Sequence, residues 1–143
     1  MLKGISSLIS PELLKVLMEM GHADEIVFGD GNFPAASHAQ RLVRADGHGI
    51  TELLNAVLPL FPLDIYVESP VALMAVTPGD TVKTPIWDEY RNIVREHHSK
   101  EIELEEVERS AFYERAKKAY AVVSTGEKAL YANIILKKGV VVE

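Results

Sequence analysis

Residues 10–31, SPELLKVLMEMGHADEIVFGDG, change from a helical to a strand-like pattern within one short stretch, and that change sets the fold. Ser10 is positioned to cap a helix with Pro11 in its first turn, Leu13, Leu14, Leu17 and Met20 share one face, and Gly21 is the expected stop. Glu25 to Asp30 (EIVFGD) is then a β-prone run, and Gly29, Gly31 and Pro34 mark a loop directly after it. Asp30 therefore falls at a strand's carboxyl end, where open α/β sheets tend to bind ligands. His22 follows the helix stop, and the pair His22 and Asp30 is expected to flank one pocket.

Outward from this stretch the alternation continues. Residues 41–45 form a second strand candidate, and after Gly47-His48-Gly49, residues 51–60 repeat apolar side chains at helical spacing until Pro59 and Pro62 close the segment. Residues 71–76 are a continuous apolar run, short enough for a buried strand. Thr84-Pro85 starts a helix through Trp87, Tyr90, Ile93 and Val94 to about His98. Residues 102–107 suggest a strand of mixed polarity, 110–118 a helix, 119–124 a buried strand and 133–137 a last strand before Gly139. The expected fold is α/β: one domain over residues 1–143, with a central, mostly parallel sheet covered by helices and with strand direction left open near the C-terminus.

Composition narrows the function classes. The chain has 143 residues, of which 48% are hydrophobic and 25% charged, enough for one core that buries roughly two-thirds of the unfolded surface. Its net charge of -6 argues against nucleic acid and anionic lipid as partners. The absence of cysteine removes disulfides, thiolate zinc sites and cysteine nucleophiles. The N-terminal MLKGISSLISPELL does not read as a secretory signal, and residues 53–63, interrupted by Asn55, Pro59 and Pro62, fall short of the ~20 residues of a membrane span. A soluble, cytoplasmic protein is expected.

Several familiar active sites lack their motifs. No G-x-S-x-G, H-E-x-x-H or G-x-x-x-x-G-K-[ST] occurs, which leaves serine hydrolase, zincin and P-loop chemistries without their geometry. Gly29-Asp30-Gly31 follows a strand as a phosphate loop does, but Asp30 puts negative charge where the phosphate would sit, so a neutral, hydroxyl-rich ligand fits better. Arg109, just before Ser110, and the pair Tyr131 and Asn133 at the start of the last strand offer the donors and acceptors that sugar hydroxyls need. Each residue has a structural alternative: Asp30 as an Asx turn, Arg109 paired with Glu105 or Glu106, and Tyr131 as a partly buried aromatic. For His22 the alternatives are a C-capping side chain and a proton donor whose imidazolium is favoured by the helix dipole. His97 and His98 read as a solvated helix end, and His38 and His48 have no partner at metal-ligand spacing.

Four segments carry a resemblance: ISSLISPELLKVLMEMGHADEIVFGD at residues 5–30, RADG at 44–47, AFYERAKKAYAVVSTGE at 111–127 and YANIILKKGV at 131–140. Together, in this order over essentially the whole chain, they resemble the L-fucose mutarotase family, which belongs with the D-ribose pyranases. The resemblance implies a ribose pyranase and fucose mutarotase-like fold, a cofactor-independent isomerase of L-fucose anomers, and a ring-like homo-oligomer, decameric in bacterial members. It implies His22 as proton donor, Asp30 and Arg109 as sugar ligands, and Tyr131, Ala132 and Asn133 as a ligand stretch. Tyr120 is carried as a further pocket candidate, while Tyr113 is expected to pack. Residues 31–34 and 68–105 match less closely, which bears on sugar preference. D-ribose pyranase activity and a non-catalytic monosaccharide-binding module are the alternatives.

Overall fold

The computed structural model describes residues 1–98 and 101–143. Its elements are α1 (Pro11–Glu19), β1 (Glu25–Gly29), α2 (Ala35–His38), β2 (Leu42–Ala45), α3 (Ile50–Val57), β3 (Val71–Met74), α4 (Pro85–His97), β4 (Glu105–Val107), α5 (Arg109–Lys118), β5 (Ala121–Thr125) and β6 (Ile134–Lys137). The strands form one six-stranded sheet in the order β2-β5-β1-β6-β3-β4. All neighbours are parallel except those of β6, which runs antiparallel to both β1 and β3.

Strand alternation builds two cores, one on each face of the sheet. Ile26 and Phe28, Val71 and Leu73, Ala121 and Val123, and Ile134 and Leu136 pack on the side covered by α1, α3 and α4. The residues between them, Val27, Ala72, Val122 and Ile135, point the other way, toward Phe112 and Ala116 of α5 and Ala35 of α2. At about 25 cal/mol per Å² of apolar surface removed from water, these two faces hold the sheet between its helical layers.

The ends of the elements matter most for the site. Ser10 Oγ accepts from the Leu13 N–H, as expected for the cap of α1. The helix does not stop at Gly21: Met20 turns to extended backbone (φ -63°, ψ 134°) and closes it one residue earlier. The left-handed residue of this connection is Ala23 (φ 71°), whose N–H is bonded to the Lys138 carbonyl at 2.8 Å. The short helix α2 lies where only a loop is expected from sequence, its four residues being too few to show a period. Because residues 126–133 return without a crossover helix, β6 enters the sheet at the carboxyl end of β1 and leaves it at the amino end.

Candidate functional site

Asp30 immediately follows β1 and is 6% exposed. Its own N–H donates to Asn133 Oδ1 at 2.8 Å, which ties the carboxyl end of β1 to the residue preceding β6. Asp30 Oδ1 accepts the Asn32 backbone N–H at 2.9 Å, and the Phe33 N–H donates to the Asp30 main-chain carbonyl at 3.1 Å. Burial raises the pKa of the Asp30 carboxyl above the usual carboxylate value; the nearby backbone N–H groups of Asn32, Ala132 and Phe33 act against that rise, and Glu127 adds to it. The position demands close packing, since a Cβ at Gly29 would lie 2.7 Å from the Cβ of Phe33.

Around Asp30 opens a cleft of about 290 Å³, near the lower end of the 300–1,000 Å³ typical of ligand sites and of monosaccharide scale. Arg109, Tyr131, Asn133, Tyr113, Asp80 and Thr77 contribute its polar groups, and Phe33, Met74 and Leu130 its apolar walls. Arg109 opens α5 and makes no ion pair among the described residues; Glu105, one of the partners considered for it, instead pairs with Arg115. Tyr131 has a left-handed backbone (φ 55°), its carbonyl bonded to Trp87 Nε1–H at 2.8 Å and its hydroxyl donating to Asp80 at 2.7 Å. Ala132 is fully buried; its N–H helps to offset the rise in the Asp30 pKa, and its carbonyl accepts from the Tyr90 hydroxyl at 2.8 Å.

Within one chain, two of the expected site residues lie outside this cleft. His22 does not share the Asp30 cleft, because the whole of β1 separates them, about 16 Å at ~3.3 Å per residue. Eight residues of sequence here make one strand length across the sheet. Tyr120 is also at the far end: its N–H bonds to Glu25 O at 2.8 Å, and its ring lies under Arg41, with the guanidinium carbon 3.9 Å from the centroid. That stacking fits a structural cation–π pair. Tyr113, expected only to pack, lines the cleft beside Phe33, the two rings 5.7 Å apart.

At the amino end of β1, His22 Nε2 lies 3.1 Å from Asp64 Oδ1; the His22 side chain is 44% exposed and that of Asp64 2%. Asp64 is a partner that sequence reasoning missed, since it sits in a loop after Pro62 with no periodic pattern to single it out. Burial alone would raise the Asp64 pKa, but the Tyr66 N–H at 3.0 Å and the His22 ring hold it below the usual carboxylate value. The Tyr66 ring meets His22 edge-on, with centroids 5.5 Å apart. A larger groove of about 600 Å³ at this end contains Arg115, but Glu25 and Glu105 already engage that cation.

Comparison with known proteins gives the family. The RbsD / FucU transport protein family model matches residues 3–141. The fucose mutarotase of Homo sapiens is 56% identical over 97% of this chain and 94% of its own length, and the L-fucose mutarotase of Actinobacillus pleuropneumoniae 53% over 98% and 97%. The structure of the Streptococcus pneumoniae fucose mutarotase in complex with L-fucose superposes with a TM-score of 0.94, at 55% identity over 99% of this chain and all of that one. Bacillus subtilis RbsD complexed with D-ribose gives a TM-score of 0.73 at 25% identity, over 99% of this chain and all of that one. Because the likeness spans sequence and fold from end to end, the chain belongs to the RbsD / FucU transport protein family.

Proposed function

We propose that this chain is a cofactor-independent mutarotase that interconverts the α and β anomers of L-fucose. The observation that carries the reading is the Asp30 cleft, in which a buried carboxylate, a guanidinium with no ion pair among the described residues, a tyrosine and an asparagine converge at sugar scale. Its full-length likeness to a mutarotase solved with L-fucose supports the choice of sugar.

The chemistry needs an acid and an acceptor. As the ring C1–O bond breaks, the ring oxygen gains a proton, and the anomeric hydroxyl gives up its own as the aldehyde carbonyl forms. Rotation about the C1–C2 bond and the reverse transfers close the other anomer. His22 is the acid in this reading: with Nε2 held on Asp64, the proton for the ring oxygen is carried on Nδ1. Asp30 accepts from sugar hydroxyls, while Arg109, Tyr131 and Asn133 fix the ring and Ala132 orients Asp30.

Since His22 and Asp30 occupy opposite ends of β1, the acid for each cleft comes from a second copy of the chain. Docking one end against the other is a head-to-tail contact, which produces rings when the rotation closes. This favours the ring-like homo-oligomer, a decamer by family resemblance, as the working form. A cysteine-free, acidic chain suits the cytoplasm.

Exchange NMR on equilibrated L-fucose tests the reading. Catalytic amounts of protein should transfer saturation between the α and β anomeric signals far faster than buffer. Sugar binding without faster exchange would favour a binding module, and faster pyranose–furanose exchange of D-ribose with none for fucose would favour pyranase activity; either result overturns the proposal.

A further inference from the structure

The Asp30 cleft contains one carboxylate besides Asp30. Asp80 follows Gly79 (φ 91°) in the loop between β3 and α4, and its Oδ2 accepts the Tyr131 hydroxyl proton at 2.7 Å. The loop fixes this carboxylate in turn: Asp80 Oδ1 accepts from the Val82 N–H at 3.0 Å, and the Asp80 N–H donates to Thr77 O at 3.0 Å. Tyr131 is fixed from its own side by the Trp87 bond to its carbonyl, and its phenolic oxygen receives the Thr77 N–H at 3.3 Å.

A phenol has one hydrogen, and here it is spent on Asp80. One lone pair of the same oxygen faces the Thr77 N–H, which leaves a lone pair and no proton for the cleft. We propose that Asp80 is a positioning residue that fixes the Tyr131 hydroxyl as a hydrogen-bond acceptor toward the sugar, so that Tyr131 selects a sugar hydroxyl able to donate. This rests on the mutarotase reading of the cleft. The Tyr131 hydroxyl first, then the Val82 and Thr81 N–H groups, hold the Asp80 pKa below the usual carboxylate value, so at neutral pH it is an anion that can only accept. The Tyr131 hydroxyl donates to Asp80, while Asp30 Oδ1 accepts the Asn32 N–H.

A double-mutant cycle on the full-length protein tests this with Asp80→Ala, Tyr131→Phe and the double variant, reading kcat and KM for L-fucose by exchange NMR. If Asp80 acts through Tyr131, each single variant lowers kcat/KM about tenfold and the double variant is no worse than Tyr131→Phe alone. An Asp80→Ala protein with wild-type kinetics, or a loss that multiplies onto that of Tyr131→Phe, overturns the proposal. Should Asp80→Ala fold poorly, Asp80→Asn preserves the loop and weakens only the acceptor; it is expected to show a smaller loss that likewise vanishes in the Tyr131→Phe background. Wild-type protein that fails to exchange fucose anomers would defeat the mutarotase reading itself, a result distinct from an active wild type with an indifferent Asp80.

Discussion

The two ends of β1 are built on opposite principles. At the carboxyl end, Asp30 and Asn133 are 6% and 5% exposed, the Asp30 N–H donates to the Asn133 side chain, and the Asp30 carboxylate and carbonyl accept the Asn32 and Phe33 N–H groups. At the amino end, a half-exposed His22 is tethered through one bond to buried Asp64, next to Ile65 and Tyr66, which are 55% and 70% exposed. The first arrangement is a preorganised holder, complete within one chain. The second is a titratable ring on an open, partly apolar surface, which becomes a pocket wall only when another surface covers it. On the proposed function, the contrast divides recognition and proton transfer between the ends of the strand.

The largest break expected in this contrast is His22→Ala. Loss of the acid should slow anomer exchange by about 10² to 10⁴, while the melting temperature stays close to wild type because the half-exposed ring contributes one hydrogen bond to Asp64 and an edge-on contact with Tyr66. Near-normal exchange by a folded His22→Ala protein would remove the role.

Asp30→Asn affects the other end in two directions. It should weaken L-fucose binding in an NMR titration by about tenfold or more, because an amide replaces a charged acceptor. It should also stabilise the fold at neutral pH. Burial raises the folded pKa of Asp30, so its contribution to stability is fully present below the unfolded value and is lost as pH rises through the folded value. Thermal melts should therefore show the variant's advantage growing as the pH rises above the unfolded reference of about 3.9. A variant less stable than wild type at pH 7 would contradict the assignment.

A smaller effect is expected from Gly139→Ala, which sharpens the amino-end half of the contrast. The new Cβ would sit 2.6 Å from Leu63 O and 3.0 Å from the Asp64 Cα, so the backbone carrying Asp64 has to move. A loss of about 1–3 kcal/mol in chemical denaturation is expected, together with weaker catalysis and unchanged sugar affinity, as His22 loses its anchor. Unaltered kcat would show that Asp64 does not position the ring.

Much of this architecture was legible in the chain. The switch from helical to strand spacing across residues 10–31 identified α1 and β1, and the apolar runs later in the chain became β3 and β5. The direction of β6 was not legible, because it depends on where the chain re-enters the sheet and not on any local pattern. In the cleft, Asp30, Arg109, Tyr131 and Asn133 come together as their flanking positions suggested. His22 does not join them, since closeness in sequence across a strand is distance in space. Tyr120, carried from the resemblance, lies at the amino end of β5, the same end of the sheet as His22. Asp80 carried no signal, as an aspartate after Pro78-Gly79 is indistinguishable from an ordinary turn residue.

The division of labour between ends is tested most directly by mixing two inactive proteins, His22→Ala and Asp30→Ala, under conditions that exchange subunits. If each cleft combines the Asp30 end of one copy with the His22 of another, random pairing restores about a quarter of the sites, and fucose exchange should return in proportion. Mixed assemblies, verified by mass, that remain as inactive as either parent would contradict the account.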